Sequence, residues 1–472
     1  MSHTRRRRRR RRRRYPQPRG APPVKPPGAG HGNGHGTPIS SPMATSSAIS
    51  LMPSSAPSSP CSPPRTAPAR RRSPADGGPS GDPRLSISTP ATISAPNDIK
   101  RFSIVSKILS DHPGPARRFH FAVIRLQNEE EAKQIDNWFR SRALANLQEL
   151  DFTFGPLEFI YGVYRYYRLP SSVLRFASTL VMARITCCDF PNEIAHFPLL
   201  KQLTLRRVSI SDIVFRGMIS ACHVLETLHL EEIHDACCLR ITSSTLRSIG
   251  TCCLRKGELI IEDAPRLERL LLSVAGDETI RVIRIRAPKL EILGALSPCI
   301  SEIKIANLVF QGMIPANLKT PIRTVKVLAL RVSIPDLSAV LDVLRCFPCL
   351  EKLYVTWNKY LKMKMKNLRQ YDPLDPIECL ETHLKKVVFR FYQGNEEDSG
   401  FAKFFILNTK VLKEMIFGVR EKVNKKWVAA QHRLLKVKNR ASQDAQFEFR
   451  YGPSECFDTH DLSIADPFTA LI

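Results

Sequence analysis

Long apolar runs are missing from this sequence of 472 residues. No run approaches the roughly 18 consecutive apolar residues that a membrane-spanning helix requires. The N-terminus is charged, but no apolar segment follows it, as a secretory signal would need. We therefore expect no membrane partner and a location in the nucleus or the cytoplasm.

Catalytic signatures are missing as well. The sequence contains no phosphate-binding glycine loop, no His-Glu-x-x-His zinc motif, no Gly-x-Ser-x-Gly elbow and no kinase signature. Its acidic residues do not pair into a recognisable metal site or acid/base site. We therefore expect a protein that is not an enzyme, with no cofactor and no bound metal.

Cysteines are present, but their pattern is not that of a disulfide framework. Their number, 13, is odd, and most lie among apolar neighbours, which predicts reduced and buried thiols. Cys346-Phe-Pro-Cys349 has the two-residue gap of a zinc knuckle or a redox pair, yet no second pair accompanies it. The pattern therefore favours packing of both cysteines in the core.

Residues 1–98 differ in composition from the rest of the chain. They hold 19 of the 36 prolines and 17 Lys or Arg against three Asp, which is +14 of the net charge of +27. Such a segment buries too little apolar surface to offset its chain entropy, so we predict a disordered arm. The run Arg5–Arg14 and the cluster Arg70, Arg71 and Arg72 are candidate nuclear-import signals. The alternative is low-complexity sequence without a selected role.

The remainder of the chain repeats the pattern L-x-x-L-x-L, in which apolar residues alternate as in a short strand after a leading leucine. Leu225-Glu-Thr-Leu228-His-Leu230 is a clear copy. Most of the spacings between copies fall within or just beyond the roughly 20–29 residues of leucine-rich repeats. Eleven copies begin at Leu147, Leu180, Leu200, Leu225, Leu246, Leu267, Leu290, Val325, Leu350, Leu384 and Leu412.

Helical patterns lie between the strands of the longer repeats. The best follows Pro335-Asp336, with Asp336 placed to cap a helix that carries Leu337, Val340, Leu341 and Leu344. Two more involve Ser211 with Ile213, Met218 and Ile219, and Phe401 with Phe404 and Phe405. The shortest units leave room only for a turn or a 3₁₀ segment. The fold class predicted is α/β, an irregular leucine-rich-repeat solenoid with a curved parallel sheet and convex helices or turns.

In such a solenoid, residues between the apolar strand positions point to the concave face, where repeat proteins bind partners. We therefore expect a protein partner there, without catalytic residues. The predicted partner-binding residues are Gln202, Thr204, Arg206, Thr227, His229, Glu231, Lys352, Tyr354 and Thr356.

Seven segments between about Val105 and Asp466 give the chain a family resemblance. They are Ser110–His120, Phe347–Leu353, Tyr371–Leu380, His383–Val388, Phe401–Asn408, Val411–Met415 and Asn439–Phe447. On these segments the chain resembles the plant F-box/LRR proteins that end in an FBD domain, particularly the set found in grasses. The predicted division is an arm at 1–98, repeats at 99–373, FBD-like repeats at 374–450 and a tail at 451–472.

The resemblance implies the substrate-recognition part of a cullin-RING ubiquitin ligase receptor. In that family, an F-box docks the ligase adaptor while the repeats hold the protein to be ubiquitinated. The family pattern would place an F-box before the repeats, and residues 1–98 show proline-rich sequence there instead. We therefore expect the ligase adaptor as a partner only if an F-box is present.

Basic stretches favour an alternative function, a scaffold that binds nucleic acid through counterion release. One stretch runs from Lys359 to Arg369. The other surrounds Trp427 and comprises Arg420, Lys422, Lys425, Lys426, Arg433, Lys436 and Arg440. Solvated loops with lysines extended into water explain the same pattern and are favoured over nucleic-acid binding.

Overall fold

The computed structural model describes residues 86–88, 98–112, 114–124, 126, 128–155, 159–160, 163–164, 166–253, 257–273, 280–318, 320–332, 337–357, 376–451 and 466–468. The chain divides into two compact units, Met1–Asp76 and Gly77–Ile472, and every described residue belongs to the second. The candidate import signals and the Lys359–Arg369 stretch lie outside the described residues.

Short strands make up most of the second unit. In chain order they are β1 (Ser86–Ser88), β2 (Arg118–Ile124), β3 (Glu149–Phe154), β4 (Phe159–Ile160), β5 (Val163–Tyr164), β6 (Tyr167–Arg168), β7 (Met182–Asp189), β8 (Gln202–Ser209), β9 (Thr227–Glu231), β10 (Cys238–Thr242), β11 (Ser248–Cys252), β12 (Glu258–Asp263), β13 (Arg269–Ser273), β14 (Ile280–Ile285), β15 (Ile292–Leu296), β16 (Ile300–Ile305), β17 (Leu308–Gln311), β18 (Ile314–Pro315), β19 (Val327–Val332), β20 (Lys352–Trp357), β21 (Lys386–Arg390), β22 (Glu414–Val419) and β23 (Gln446–Tyr451).

Helices lie between strands at both ends of the unit. They are α1 (Asp98–Asp111), α2 (Glu129–Arg140), α3 (Asp212–Ser220), α4 (Leu337–Arg345), α5 (Glu378–Thr382), α6 (Glu396–Asn408) and α7 (Lys425–Leu434). The described 3₁₀ turns are Arg142–Leu144, Ser171–Phe176 and Val437–Asn439. Among the described residues, no helix combines the length and the apolar character needed to cross a membrane.

One long sheet, the main sheet, runs through the unit. Its strands follow the order β1, β2, β3, β7, β8, β9, β11, β13, β15, β19, β20, β21, β22, β23, with β6 beside β7. Neighbouring strands of this order are parallel. Sequential parallel strands in chain order are the arrangement of a solenoid, so the predicted fold class is confirmed.

The predicted repeats coincide with the main sheet. Each of the eleven leading residues is buried, and a strand begins two residues after each one. At Leu225, for example, β9 begins at Thr227, and the amide groups of Glu226 and Thr227 both donate to the Lys201 carbonyl of the preceding repeat. The apolar spacing therefore sets where each strand starts, because the leading side chain enters the core just before the chain becomes extended.

The sequence pattern did not predict two of the repeat strands, β2 and β23. β2 follows Ala116, which is buried at the leading position although it is not leucine. β23 begins two residues after Asp444, which is exposed. β1 is a third addition, because Ser86–Ser88 pairs with Arg118–His120 inside the segment predicted to be disordered. That prediction is therefore wrong for these three residues, and the remainder of 1–97 lies outside the described residues.

The three predicted helices are present. α3 is capped by Ser211, whose hydroxyl accepts from the Val214 amide at 3.4 Å. Met218 and Ile219 are buried, while Ile213 is 71% exposed. α4 buries Val340, Leu341 and Leu344, and its predicted cap, Asp336, lies outside the described residues. α6 buries Phe401 and Phe405.

The short repeats differ from the prediction, because strands take the place of the expected turns. β10, β12, β14 and β16 form a second parallel sheet, which β17 and β18 extend in antiparallel fashion. A strand advances about 3.3 Å per residue against 1.5 Å in a helix, so few residues suffice to cross the repeat. Consecutive units of similar length then stack their isoleucine-rich segments in register, as in Ile260 beside Arg284.

The core lies between the main sheet and the elements opposite it. Leu228 and Leu230 of β9 belong to the same buried cluster as Ile241 of β10 and Phe215 of α3. Neighbouring strands lie about 4.8 Å apart, whereas packed helices need about 8–10 Å. Where helices lie opposite it, the main sheet is therefore the shorter, inner side of the solenoid. Its face away from the core is called the concave face below.

Candidate protein-binding face

Outward side chains of the main sheet align in rows from repeat to repeat. The central row is His120, Asp151, Arg184, Thr204, His229, Gly250, Leu271 and Gly294, continued by Ala329, Tyr354, Val388, Ile416 and Glu448. The row is polar in the N-terminal repeats and mostly apolar in the C-terminal ones. The concave face therefore consists of two chemically different halves.

Ion pairs between neighbouring repeats build the polar half. Asp151 lies between two partners, with His120 Nδ1 at 3.1 Å and the Arg184 guanidinium Nη1 at 2.8 Å from Oδ2. Arg206 and Glu231 pair one row further on, at 2.7 Å from Nε to Oε2. These residues, with Thr204 and His229, are called the polar ladder.

Glu231 is the most strongly perturbed acid of the polar ladder. His229 Nε2 lies 3.7 Å from its Oε2, the same oxygen that Arg206 Nε approaches at 2.7 Å. Hydrogen bonding by His229 and then by Arg206 favours the carboxylate and lowers the pKa of Glu231 from its ordinary 4.5 to about 2. The ladder therefore presents fixed charges at neutral pH.

The apolar half forms a cluster separate from the core. Its members are Leu271, Ile292, Ala295, Val327, Ala329, Tyr354, Val388, Ile416 and Phe468. The first eight come from five main-sheet strands of the C-terminal repeats and from β13, whereas Phe468 comes from near the end of the chain. This set without Phe468 is called the apolar patch, and the ring of Phe468 packs against its Tyr354.

A carboxylate accompanies Phe468 on this surface. Asp466 Oδ2 accepts hydrogen bonds from Lys352 Nζ at 2.9 Å and from the Tyr354 hydroxyl at 2.7 Å. The Tyr354 ring lies 5.2 Å from that of Phe468, centroid to centroid. Burial and then the hydrogen bond to Asp466 raise the pKa of Tyr354 above its usual range, so the hydroxyl stays protonated as a donor.

The structure places all nine predicted partner-binding residues on the concave face. Gln202, Thr227 and Lys352 lie in the row before the central one, and Arg206, Glu231 and Thr356 in the row after it. Thr204, Thr227, His229 and Tyr354 are each less than a tenth exposed, whereas Gln202, Arg206, Glu231, Lys352 and Thr356 reach solvent. Partner binding by any of them stays a prediction.

Sequence reasoning missed the other members of these rows. His120, Asp151 and Arg184 extend the polar ladder over three more strands, and Val388 and Ile416 extend the apolar patch. The positions follow from the same rule, strand start plus two residues, so the register of each predicted strand could have found them. Asp466 and Phe468 carry no such signal.

The tryptophan of the basic stretch packs against the sheet. Trp427 packs on Phe449, ring centroids 5.3 Å apart, and is only partly exposed. The Arg420 guanidinium lies 4.5 Å above the ring of Phe391. Lys425, Lys426 and Arg433 lie exposed on α7. The stretch is therefore a solvated helix face whose tryptophan serves packing.

The cysteines of the described residues are free thiols of mixed exposure. Cys346 is buried and Cys349 partly buried, and burial raises the pKa of Cys346 to about 12. Cys237, by contrast, is exposed, which differs from the burial predicted for the thiols in general. Within the described residues, no three His, Cys, Asp or Glu side chains group in a way that could hold a metal ion.

A solenoid of parallel strands with aligned side chains on its inner face defines the class, a leucine-rich-repeat interaction protein. Two family models match this chain. One, described as "FBD-associated F-box protein At5g56370, LRR repeats", matches residues 135–355, and the other, FBD, matches residues 372–417. Over these residues the chain is therefore similar to LRR proteins associated with FBD and F-box domains; neither match is to an F-box.

The FBD match continues the same architecture. β20 and β21, which lie on either side of the start of that match, pair directly along five residues of the main sheet. The predicted boundary between residues 373 and 374 stays a prediction. No curated protein shows significant similarity to the chain.

Proposed function

We propose that the chain holds a protein partner on its concave face, as the substrate-recognition part of F-box/LRR receptors of cullin-RING ubiquitin ligases does. One observation carries the proposal: outward side chains align from strand to strand along the main sheet, on both sides of an irregularity between β15 and β19, in rows that combine fixed charge with apolar side chains. Protein–protein interfaces likewise combine apolar and polar surface.

The dimensions of the face support a macromolecular partner. Thirteen strands from β2 to β23 follow one another at about 4.8 Å, so the rows extend on the order of 60 Å along the sheet. A small molecule fills a compact pocket, whereas a standard protein interface takes about 800 Å² from each partner. The face has the extent of an interface.

The link to a ubiquitin ligase is supported by the family matches, since one of them is to the repeats of an F-box protein. In this proposal the repeats select the protein, and the adaptor joins only through an F-box. The test is co-purification of the full chain with the ligase adaptor. An adaptor that binds stoichiometrically supports ligase membership, and its absence restricts the proposal to partner capture by the repeats.

A matched pair of charge reversals tests the face itself. Arg206→Glu breaks the Arg206–Glu231 pair on the concave face, and Arg240→Glu breaks the Arg240–Glu262 pair, 2.7 Å long, on the second sheet. Both replace an arginine that pairs with a glutamate on the next strand. We expect Arg206→Glu to lose the partner that co-purifies with the full chain, while Arg240→Glu retains it at equal thermal stability. Equal loss or equal retention contradicts the proposal.

A further inference from the structure

A short piece of the same chain, Asp466–Phe468, packs against the apolar patch at Tyr354. Phe468 is fully buried and Asp466 only 5% exposed, although both follow the last strand of the main sheet, β23. Asp466 and Tyr354 are 112 residues apart in sequence. The contact is therefore a docking of one segment onto the candidate protein-binding face.

The carboxylate is held by two donors on one strand. Lys352 and Tyr354 are alternate residues of β20, so both side chains project from the same face. Their donors converge on a single oxygen, Oδ2 of Asp466. An ammonium group and a protonated phenol aimed at one point form a site for a carboxylate, and a charge-assisted hydrogen bond is stronger than a neutral one.

The ring is held two residues further on. Phe468 packs on Tyr354 and belongs to the same buried cluster as Val388 and Ile416, which follow Tyr354 in the central row. The other oxygen of Asp466, Oδ1, accepts the Phe468 amide at 3.2 Å, which fixes the distance between carboxylate and ring. The surface therefore binds two groups at a defined spacing, a carboxylate and an aromatic ring.

Basic residues surround this site on the neighbouring rows. Lys386 stands beside Lys352 in its row, and Arg331 and Arg390 flank Thr356 in the row beyond. Lys386 also pairs with Glu414 at 2.8 Å. The positive excess favours an acidic segment over a basic one, through the complementarity that selects partners at interfaces.

We propose that the site of Lys352, Tyr354, Val388 and Ile416 recognises a partner protein segment with a carboxylate two residues ahead of an aromatic ring, and that Asp466–Phe468 is its intramolecular competitor. The proposal rests on the proposed function, since it names the chemistry of the partner that the concave face would hold. A partner must displace the chain's own segment. The apparent affinity of the partner is therefore its intrinsic affinity multiplied by the fraction of sites that the segment leaves free.

Competition predicts that weakening the tail strengthens binding of an added peptide. The probe is a fluorescein-labelled peptide of residues 461–472, and the proteins are the full chain and the full chain with Asp466→Asn and Phe468→Ala. Fluorescence anisotropy should show the peptide binding the double variant about tenfold more tightly, as expected if the tail fills about nine sites in ten. Equal affinity for both proteins overturns the proposal.

Specificity is tested on the background of the double variant. Lys352→Met and Tyr354→Phe remove one donor each and should weaken peptide binding at least about fivefold, in the range of a lost hydrogen bond to a charged group. Lys385→Met is the matched control, because Lys385 is half exposed, pairs with Glu351 and lies just before β21. A Lys385→Met effect equal to that of Lys352→Met contradicts a defined site.

A second measurement uses the natural tail and does not depend on the double variant folding. Lys352→Met and Tyr354→Phe in the otherwise unchanged chain should accelerate hydrogen exchange at the Phe468 amide, while exchange in β8 and β9 stays constant. Unchanged exchange at Phe468 shows that these donors do not hold the segment and overturns the proposal.

The outcomes separate this proposal from the proposed function. If Arg206→Glu abolishes partner capture while the peptide binds neither protein, the concave face binds partners and the carboxylate–ring site does not. If the peptide binds as expected while Arg206→Glu retains the partner, the site stands and the polar ladder has no part in capture.

Discussion

At the scale of single residues, the concave face depends on charges that neighbouring repeats hold in place. The carboxylate of Glu231 contacts His229 of its own strand and Arg206 of the preceding strand. Its side chain is only 16% exposed. Each contact favours the ionised carboxylate. The polar ladder is therefore a preorganised set of charges, in which the side chains are fixed before a partner arrives.

Glu231→Gln should change the pH dependence of stability. The folded-state pKa of about 2 lies below the ordinary 4.5, so the carboxylate stabilises the fold above 4.5 and the contribution is lost as pH falls toward 2. Melting temperatures of the natural chain and of the variant should differ near neutral pH and converge in acid. A gap that is constant across this range contradicts the assignment.

Leu203→Ala should destabilise the protein by about 2–5 kcal/mol, because it empties a buried leucine site in the core. Leu203 is 2% exposed, whereas nearby Leu199 is 50% exposed. Leu199→Ala is thus the matched control and should cost less than about 0.5 kcal/mol. Denaturant unfolding with intrinsic fluorescence measures both, and equal losses show that Leu203 is not a core position.

At the scale of elements, the helices are set by local signals. Asn128, Asn395 and Asn424 each precede a helix, and each side chain accepts from the backbone amide three residues on. The second sheet lacks any comparable signal. Its strands exist because consecutive short repeats stack in register, so their hydrogen-bond partners come from other repeats.

Asn424→Ala should weaken α7 and its support of β23. The Asn424 side chain accepts from the Trp427 amide at 2.9 Å, and loss of such a cap costs about 1 kcal/mol. Asn424→Asp keeps an acceptor at that position and should restore the stability. Hydrogen exchange in residues 425–434 measures the effect; an aspartate variant as weak as the alanine variant would falsify the capping role.

At the scale of the whole molecule, each strand of the main sheet from β7 to β23 is hydrogen-bonded to the strands of neighbouring repeats. Stability in such a stack is a sum over repeats and their interfaces. The docked segment at Asp466 departs from this scheme, since it joins the end of the chain to β20. Damage to one repeat should therefore spread only to its neighbours.

Leu412→Ala tests this locality. Leu412 is 1% exposed and leads the repeat of β22. The substitution should raise hydrogen exchange in β21, β22 and β23 by at least about tenfold and leave β8, β9 and β11 protected, because those strands share no interface with the damaged repeat. Uniform loss of protection would show a single cooperative unit instead of a stack.

The sequence by itself determined the solenoid. Eleven leading residues, from Leu147 to Leu412, located eleven strands, because a buried leucine followed by alternating apolar residues constrains the local chain. The same alternation predicted on which side of the sheet the nine candidate partner-binding residues lie. Ala116 and Asp444 show the limit, since neither is one of the large apolar residues that lead the other repeats.

Only the tertiary structure decided what lies on that face. Tyr354 was expected to bind a partner on the concave face, yet it is 2% exposed, packs with Phe468 and donates to Asp466. The face to which a strand residue points follows from the alternation of neighbouring residues, which can be read from the sequence. The docking of Asp466 and the stacking of the second sheet depend on contacts between residues far apart in sequence. These contacts stabilise the structure only after the repeats have assembled.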